Sequence, residues 1–243
     1  MENRLVFIGI VPSAVLALCV CAVAGATPLI AIDVGHSLQS SGSISARGKP
    51  EFEFNRELAQ VVWQTIETKG GRAFEIGADG KSVDPETRPL EASMHGAKFF
   101  LSIHHDSAQP QYLEDWTWQG GMQRYTDRFS GFSLFISRKN RQLAASLRCA
   151  SAIGAALKKA GLPASTHHAE KIEGENRPWA DQANGVYYYD NLIVLKNAKI
   201  PAVLLEAGII ANRDEEKHLL QPAVRNAIAI AVATGLDNCG MLK

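Results

Sequence analysis

Apolar residues fill the chain from Leu5 to Ala24 almost without a break, and beyond that the pattern changes to short runs divided by polar loops. Pro28 to Asp33 is a brief apolar run that leaves into Asp33-Val-Gly-His36, the pattern of a strand entering a loop. From Glu53 the period becomes helical. Phe54, Leu58, Val61, Val62 and Ile66 recur on one face, and Gly70-Gly71 stops the helix. Arg72 to Ile76 reads as a second strand, Asp84-Pro85-Glu86 as the start of a helix running to about Gly96, and Lys98 to His104 as a third strand, again ending in histidine. Ser107 to Ser130 is polar and aromatic and reads as a loop. Gly131 to Ser137 is a strand, Asn140 to Ala160 a long helix closed by Gly161, and Pro163 to Asp190 a second irregular stretch. Leu192–Leu195 and Ala202–Glu206 read as short strands, followed by a helix from about Asp214 and another from Pro222 to Gly235. Strands alternating with helices predict a three-layer α/β/α fold, a largely parallel central sheet flanked by helices.

Composition narrows the picture. Of 243 residues, 46% are apolar and 21% charged, which excludes a disordered chain and permits a sizeable core. The 25 basic and 25 acidic residues balance, so a nucleic-acid partner is not expected. Residues 1–26 read as a signal peptide. Arg4 precedes the apolar run, Pro12 interrupts it, and Ala22-Val23-Ala24 and Ala24-Gly25-Ala26 supply small residues for cleavage. The rival reading is an uncleaved membrane anchor, since the run approaches the ~20 residues that span a bilayer. Residues 27–243 would then form one domain. Cys19 and Cys21 leave with the signal, and Cys149 and Cys239 fall on predicted helices where they either pair or stay as buried thiols.

The chemistry lies in where the polar residues sit. His36, His104 and Glu206 each follow a predicted strand, and open α/β sheets bind ligands beyond the carboxyl ends of their strands. Glu51 sits just before the first helix, near the same rim. Two imidazoles and a carboxylate form a common catalytic zinc set with one position left open. A separate carboxylate is then needed to move protons, and Glu206, after the apolar run Pro201–Leu205, sits where a low-dielectric wall raises a carboxyl pKa. Spacing leaves two choices open. His104 and His105 face opposite sides of a strand, and Glu51 competes with Glu53, either of which also suits the first turn of a helix.

These residues carry a resemblance. The chain resembles the zinc-dependent N-acetylmuramoyl-L-alanine amidases of bacterial cell-wall turnover, the type-3 amidase family. Asp33-Val-Gly-His36 is similar to that family's opening strand and first zinc histidine, and Glu51-Phe-Glu-Phe-Asn55 to its glutamate four residues before an asparagine. Arg88-Pro-Leu followed by Gly96 to His104 is similar to its arginine-led helix and Ser-Ile-His strand. Ile193-Val-Leu, then Ile200 to Gly208 and Asn212, is similar to its closing segment with the catalytic glutamate. The resemblance spans about residues 29 to 235. It implies that Glu51 rather than Glu53, and His104 rather than His105, join His36 on one Zn2+ per chain, with Glu206 as general base.

The implied reaction is hydrolysis of the amide between N-acetylmuramic acid and the L-alanine of the peptidoglycan stem peptide. The implied setting is the periplasm or cell envelope. The implied partners are peptidoglycan or released muropeptides and an activator protein, with the enzyme itself a monomer. The rival readings are a zinc carboxypeptidase acting on wall-derived peptides and a non-catalytic wall-binding homologue.

Two departures bear on loop shape: Ser37 stands where the family usually has glycine, and His105-Asp106 where it usually has Ala-Asn. The 163–190 stretch, with His167, His168, Glu170, Glu173 and Glu175, could cover the zinc as an inserted segment does in some relatives, and is read here as a substrate-side loop. Trp116, Trp118 and Tyr187 to Tyr189 are candidates to line a groove, and Arg124, Arg128 and Arg177 to meet stem-peptide carboxylates.

Overall fold

The computed structural model describes residues 1–2, 26–82 and 84–242. The expected signal segment lies almost entirely outside the described residues. A seven-stranded sheet forms the middle layer, in the order β2-β1-β3-β9-β6-β8-β7. Its strands are β1 (Leu29–Val34), β2 (Arg72–Ile76), β3 (Phe99–Asp106), β6 (Ser133–Ile136), β7 (Trp179–Asp181), β8 (Val186–Tyr188) and β9 (Ala202–Ile209). Strands β2, β1, β3 and β9 run parallel, β6 is antiparallel to β9, and β8 follows β6 in parallel while β7 reverses, so the sheet is mixed with a parallel centre.

The central strands are covered on both faces, which is why β1, β3 and β9 read as near-continuous apolar runs. Helices α1 (Glu51–Thr68), α3 (Leu143–Lys159) and α6 (Pro222–Asn238) cover one face. There Leu58, Val62, Ile153, Leu157, Ile228 and Val232 pack on Ile32, Leu101, Ile103 and Leu205. On the other face α2 (Thr87–Met94) and the short α4 (Ile193–Lys196) bring Ala92, Val194 and Leu195 onto Ala31, Phe100 and Leu204. The short helix α5 (Arg213–Leu219), just before α6, is capped by Asn212, whose side chain accepts from the backbone N–H groups of Asp214 and Glu215. Among the described residues no single helix is long and apolar enough to cross a membrane.

Three expectations are corrected. Leu192–Leu195 is not a strand. Helical bonds run from the N–H groups of Lys196 and Asn197 to the carbonyls of Leu192 and Ile193, and a single turn buries Val194 and Leu195 while leaving Leu192 and Ile193 facing a cavity. A four-residue apolar run has no period long enough to separate these outcomes. The 107–130 loop contains a hairpin, β4 (Glu114–Trp118) and β5 (Gly121–Tyr125), turned at Gln119 and Gly120 with φ of 50° and 82°. Two consecutive positive φ values mark the turn that matches strand twist, and Gln-Gly between aromatic-rich runs was its signal. The 163–190 stretch supplies β7 and β8, each of three residues.

Cys149 on α3 is bonded to Cys239 at the end of α6, Cα atoms 5.1 Å apart, across 90 residues of sequence. Closing so long a loop removes much unfolded-state freedom, and loss of such bonds costs about 2–5 kcal/mol. The double variant Cys149→Ser, Cys239→Ser is expected to lower the guanidinium unfolding midpoint accordingly. An unchanged midpoint would show that the bond contributes no stability.

Candidate functional site

Strands β1, β3 and β9 end side by side, and their register decides what meets. His104 of β3 pairs with Glu206 of β9, so the two side chains stand next to each other on the α2/α4 face. His105 points the other way, against Phe54 of α1 (ring centroids 5.4 Å), where its Nδ1 meets Asn55 Oδ1 at 2.8 Å. Burial holds the His105 pKa down to about 3, so it stays neutral.

Glu51 is the first residue of α1 and is 3% exposed. Its Oε2 lies 3.1 Å from His36 Nε2 and its Oε1 3.0 Å from His104 Nδ1. Oε1 also accepts from Asn55 Nδ2 (3.1 Å), one helical turn on, and Oε2 from the Ser43 N–H (3.0 Å). Burial alone would raise this carboxyl; the hydrogen bonds from His104 and His36 outweigh it and hold it well below the usual carboxylate range. For His36, burial opposes the charged form, and the Glu51 contact overcomes it to raise the pKa. One donor atom from each of His36, Glu51 and His104 lies within 4.8 Å of the others, a grouping that could hold a metal ion. Glu53, one helical residue pair later, is half-buried outside this group.

The scaffold around the triad leaves no slack. A Cβ on Gly35 would sit 2.3 Å from His104 Nε2, and one on Gly42 would sit 2.4 Å from Glu51 Oε2, so neither position accepts a side chain without moving a donor. His36 itself has φ of 69°, uncommon for a residue with a side chain. The turn is braced from below by buried Arg88 of α2, which donates to Asp33 Oδ1 (2.7 Å) and to the carbonyls of Val34 and His36. Ser102 Oγ donates to the other Asp33 oxygen at 2.6 Å. Breaking a buried pair of this kind from one side costs about 3–5 kcal/mol, because a charge is left unpaired. The loop from His36 to Glu51 is tied down at its far end: Ser45 Oγ and Arg47 both donate to buried Glu216 of α5, at 2.7 and 2.5 Å.

Glu206 is the fourth residue of the rim. Its Oε2 is buried without a hydrogen-bond partner. Burial, then the charges of Asp106 and Glu51, push its pKa well above the ordinary carboxyl value. Such a group holds its proton to higher pH than a solvent-exposed carboxyl does. A cavity of about 430 Å³ opens on the same face, lined by His36, His104, Arg88, Tyr189, Leu192 and Ile193 among others.

The remaining candidates divide. Tyr189 lines this cavity and carries Arg177 stacked on its ring at 3.7 Å. Tyr187 is buried, its hydroxyl donating to the Ser165 carbonyl. Trp116 and Trp118 stack on each other beneath Arg47, and Trp116 Nε1 donates to the Ala46 carbonyl, so both anchor the His36–Glu51 loop. Arg124 meets Asp115, and Arg128 meets Glu170. In the 163–190 stretch, His167 and His168 reach Asp106, and Glu175 reaches His168. Burial works against a charge on His168, but the Asp106 and Glu175 carboxylates push it up to about 9. The sequence marks His167, His168 and Glu175 as polar residues of a substrate-side loop, with a cover over the zinc as the alternative, and does not show that Asp106 collects them. The one available signal is a charged residue two positions beyond His104, on the same side of the strand.

Residues 30–238 match the model of the N-acetylmuramoyl-L-alanine amidase family. The chain is 22% identical over 236 residues to the amidase AmiC of Escherichia coli, covering 86% of this chain and 52% of AmiC. It is 25% identical over 229 residues to AmiA of Salmonella typhimurium, covering 87% and 76%. The chain thus spans about half the length of AmiC and three quarters of AmiA. Among solved structures, the catalytic domain of the amidase CwlV from Bacillus (Paenibacillus) polymyxa superposes with a TM-score of 0.67 at 22% identity, covering 89% of this chain and 100% of that one. CwlD from Clostridioides difficile, solved in complex with the GerS lipoprotein, superposes at 0.65 with 20% identity, covering 88% and 98%. These likenesses share the fold, and the match over 30–238 takes in every described strand and helix but for Leu29 at the start of β1: the chain belongs to the N-acetylmuramoyl-L-alanine amidase family.

Proposed function

We propose that the chain is an exported, zinc-dependent N-acetylmuramoyl-L-alanine amidase. The observation that carries the reading is the meeting of His36, Glu51 and His104 within 4.8 Å, with the unpartnered carboxyl of Glu206 on the adjoining strand. The residues fit zinc. Two imidazoles and a carboxylate are a familiar donor set, and Gly35 and Gly42 close over it without side chains to occupy the space. Zinc, when bound, supplies Lewis-acid polarisation of the scissile carbonyl and of the attacking water.

The chain's own residues do the rest. Glu51, gripped by Asn55 and the Ser43 N–H, orients the ligand set, and Arg88 fixes the backbone that presents His36. Glu206 Oε2 takes the proton of the attacking water and returns it to the departing alanine nitrogen, a role suited to its raised pKa. The muramoyl–peptide amide enters through the cavity beside His36 and His104, where Leu192, Ile193 and Tyr189 offer apolar surface and Arg88 closes the floor.

Residues 1–26 serve as the signal peptide and 27–243 as the catalytic domain, which works as a monomer at the cell envelope. The 163–190 stretch acts as a wall of the substrate side. In support, Glu175 and Glu170 are engaged by His168 and Arg128 rather than by the triad. The CwlD–GerS complex supports an activator partner for this chain too. The test is digestion of purified cell wall. The expected product is a new L-alanine amino terminus on the released peptides with the glycan intact. Release of C-terminal residues alone would sink the reading in favour of a carboxypeptidase, and binding without any release would mark a wall-binding homologue.

A further inference from the structure

We propose that Asp106, His167 and His168 form a second divalent transition-metal site, on the same rim as the first and built by residues that the proposed hydrolysis does not use. Asp106 lies two residues beyond His104 on β3 and turns the same face. Its Oδ2 is the focus of the cluster, 2.8 Å from His168 Nε2 and 3.2 Å from His167 Nε2. One donor atom from each of the three residues lies within 4.8 Å of the others, the same tolerance that gathers His36, Glu51 and His104. A tetrahedral ion with bonds of about 2.0–2.1 Å to nitrogen sets its donors roughly 3.3 Å apart. The Asp106 separations in the second cluster, 2.8 and 3.2 Å, fall short of that value, as do those of the first, 3.0 and 3.1 Å, and these contacts need to open by about half an ångström at most.

The outer contacts strengthen the case. A metal-binding histidine donates its other ring nitrogen to a carboxylate, hydroxyl or carbonyl, which sets the tautomer and aims the ligand nitrogen. Both histidines meet this requirement. His168 Nδ1 is held by Glu175 Oε2 at 2.8 Å, and His167 Nδ1 by Ser165 Oγ at 2.8 Å. Glu175 is itself fixed by Gln109 Nε2 at 2.8 Å. Each Nε2 is thereby left to face Asp106.

An independent observation points to an occupant. His167 is 3% exposed, and its buried Nε2, aimed at the cluster, makes no well-aligned hydrogen bond: Asp106 Oδ2 stands 3.2 Å away and is also engaged by His168. A buried polar atom left unsatisfied costs about 1–3 kcal/mol, so a site that ties down one ring nitrogen and leaves the other badly aligned favours an ion there. Two imidazoles and a carboxylate suit Zn2+ and its first-row neighbours rather than Ca2+ or Mg2+. A cation held here would staple the 163–190 segment to the end of β3 and offset the Asp106 charge that bears on Glu206.

The test is a metal count. The full chain, stripped with a chelator, is titrated with Zn2+ and followed by native mass spectrometry, then repeated with Co2+ and read by its ligand-field absorption. The wild type is expected to take up two equivalents, the double variant His167→Ala, His168→Ala one, and His36→Ala one. Saturation of the wild type at one equivalent overturns the proposal whatever the variants do, and so does a second equivalent that persists in a folded double variant. The outcome is separable from the amidase reading. A wild type that cleaves cell wall with one equivalent bound sinks this site alone, and one that binds two without cleaving wall sinks the amidase and leaves this site standing.

Discussion

Glu206→Gln is expected to lower kcat on cell-wall substrate by about 10²–10⁴-fold, the range that a positioned acid–base group contributes. The amide nitrogen and oxygen of glutamine fill the same volume but neither take nor return a proton. The triad donors are untouched, so zinc content should hold, which separates a lost proton carrier from a lost metal. Stability offers a second readout. In the folded chain the Glu206 carboxyl titrates well above its ordinary 4.5, because burial and the charges of Asp106 and Glu51 disfavour ionisation. The protonated side chain therefore stabilises the fold fully below the unfolded-state pKa, and that contribution is lost as pH rises through the folded-state value. Glutamine keeps a neutral side chain at every pH. With both proteins stripped of metal, the variant should match the wild type near pH 4 and unfold at progressively higher temperature than it as pH climbs. A variant that turns over like the wild type, or one whose stability falls relative to it with rising pH, would remove Glu206 from the role proposed for it.

His36→Ala and His104→Ala are each expected to shed one equivalent of zinc on dialysis and to bring hydrolysis to background. Each removes one of three donors from a set that Glu51 holds together at 3.0 and 3.1 Å. Asn55→Ala should act more gently. It leaves every donor in place but frees Glu51 Oε1 from the 3.1 Å bond that aims it, and loss of such an outer partner typically weakens metal binding about 10–100-fold. Elemental analysis after dialysis against graded chelator would rank the three variants. Equal zinc in His104→Ala and wild type would exclude His104 as a ligand.

The order of elements was legible because the buried parallel strands β1, β3 and β9 are short apolar runs and because α1 keeps one period for its whole length. What a local pattern lacks is long-range information. Glu51 and Glu53 share a helix turn, and only the course of the loop back from His36 decides which one meets the histidines. The same holds for α4, whose four apolar residues become a turn of helix because the sheet's face needs Val194 and Leu195 but not their neighbours. The hairpin β4–β5 has its signal in Gln119-Gly120, but its strands are largely exposed and carry no apolar run to mark them. The Asp106 cluster joins residues about 60 positions apart, and no spacing rule reaches that far.

The place of β9 in the sheet has a consequence for how the molecule comes into being. Strands β2, β1 and β3 come from residues before 107 and strands β6, β8 and β7 from residues 133–188, and among the described residues these halves are joined by β9, Ala202–Ile209. It carries Glu206 to a position beside His104, which was made a hundred residues earlier. A chain still emerging from the ribosome or a translocation pore holds the three would-be ligands but has no carboxylate to set against them, and its β3 has an open edge. On the proposed function, competence to cut is thus timed by the topology itself: it arrives in one stroke, with β9, after the other six strands of the sheet have been delivered.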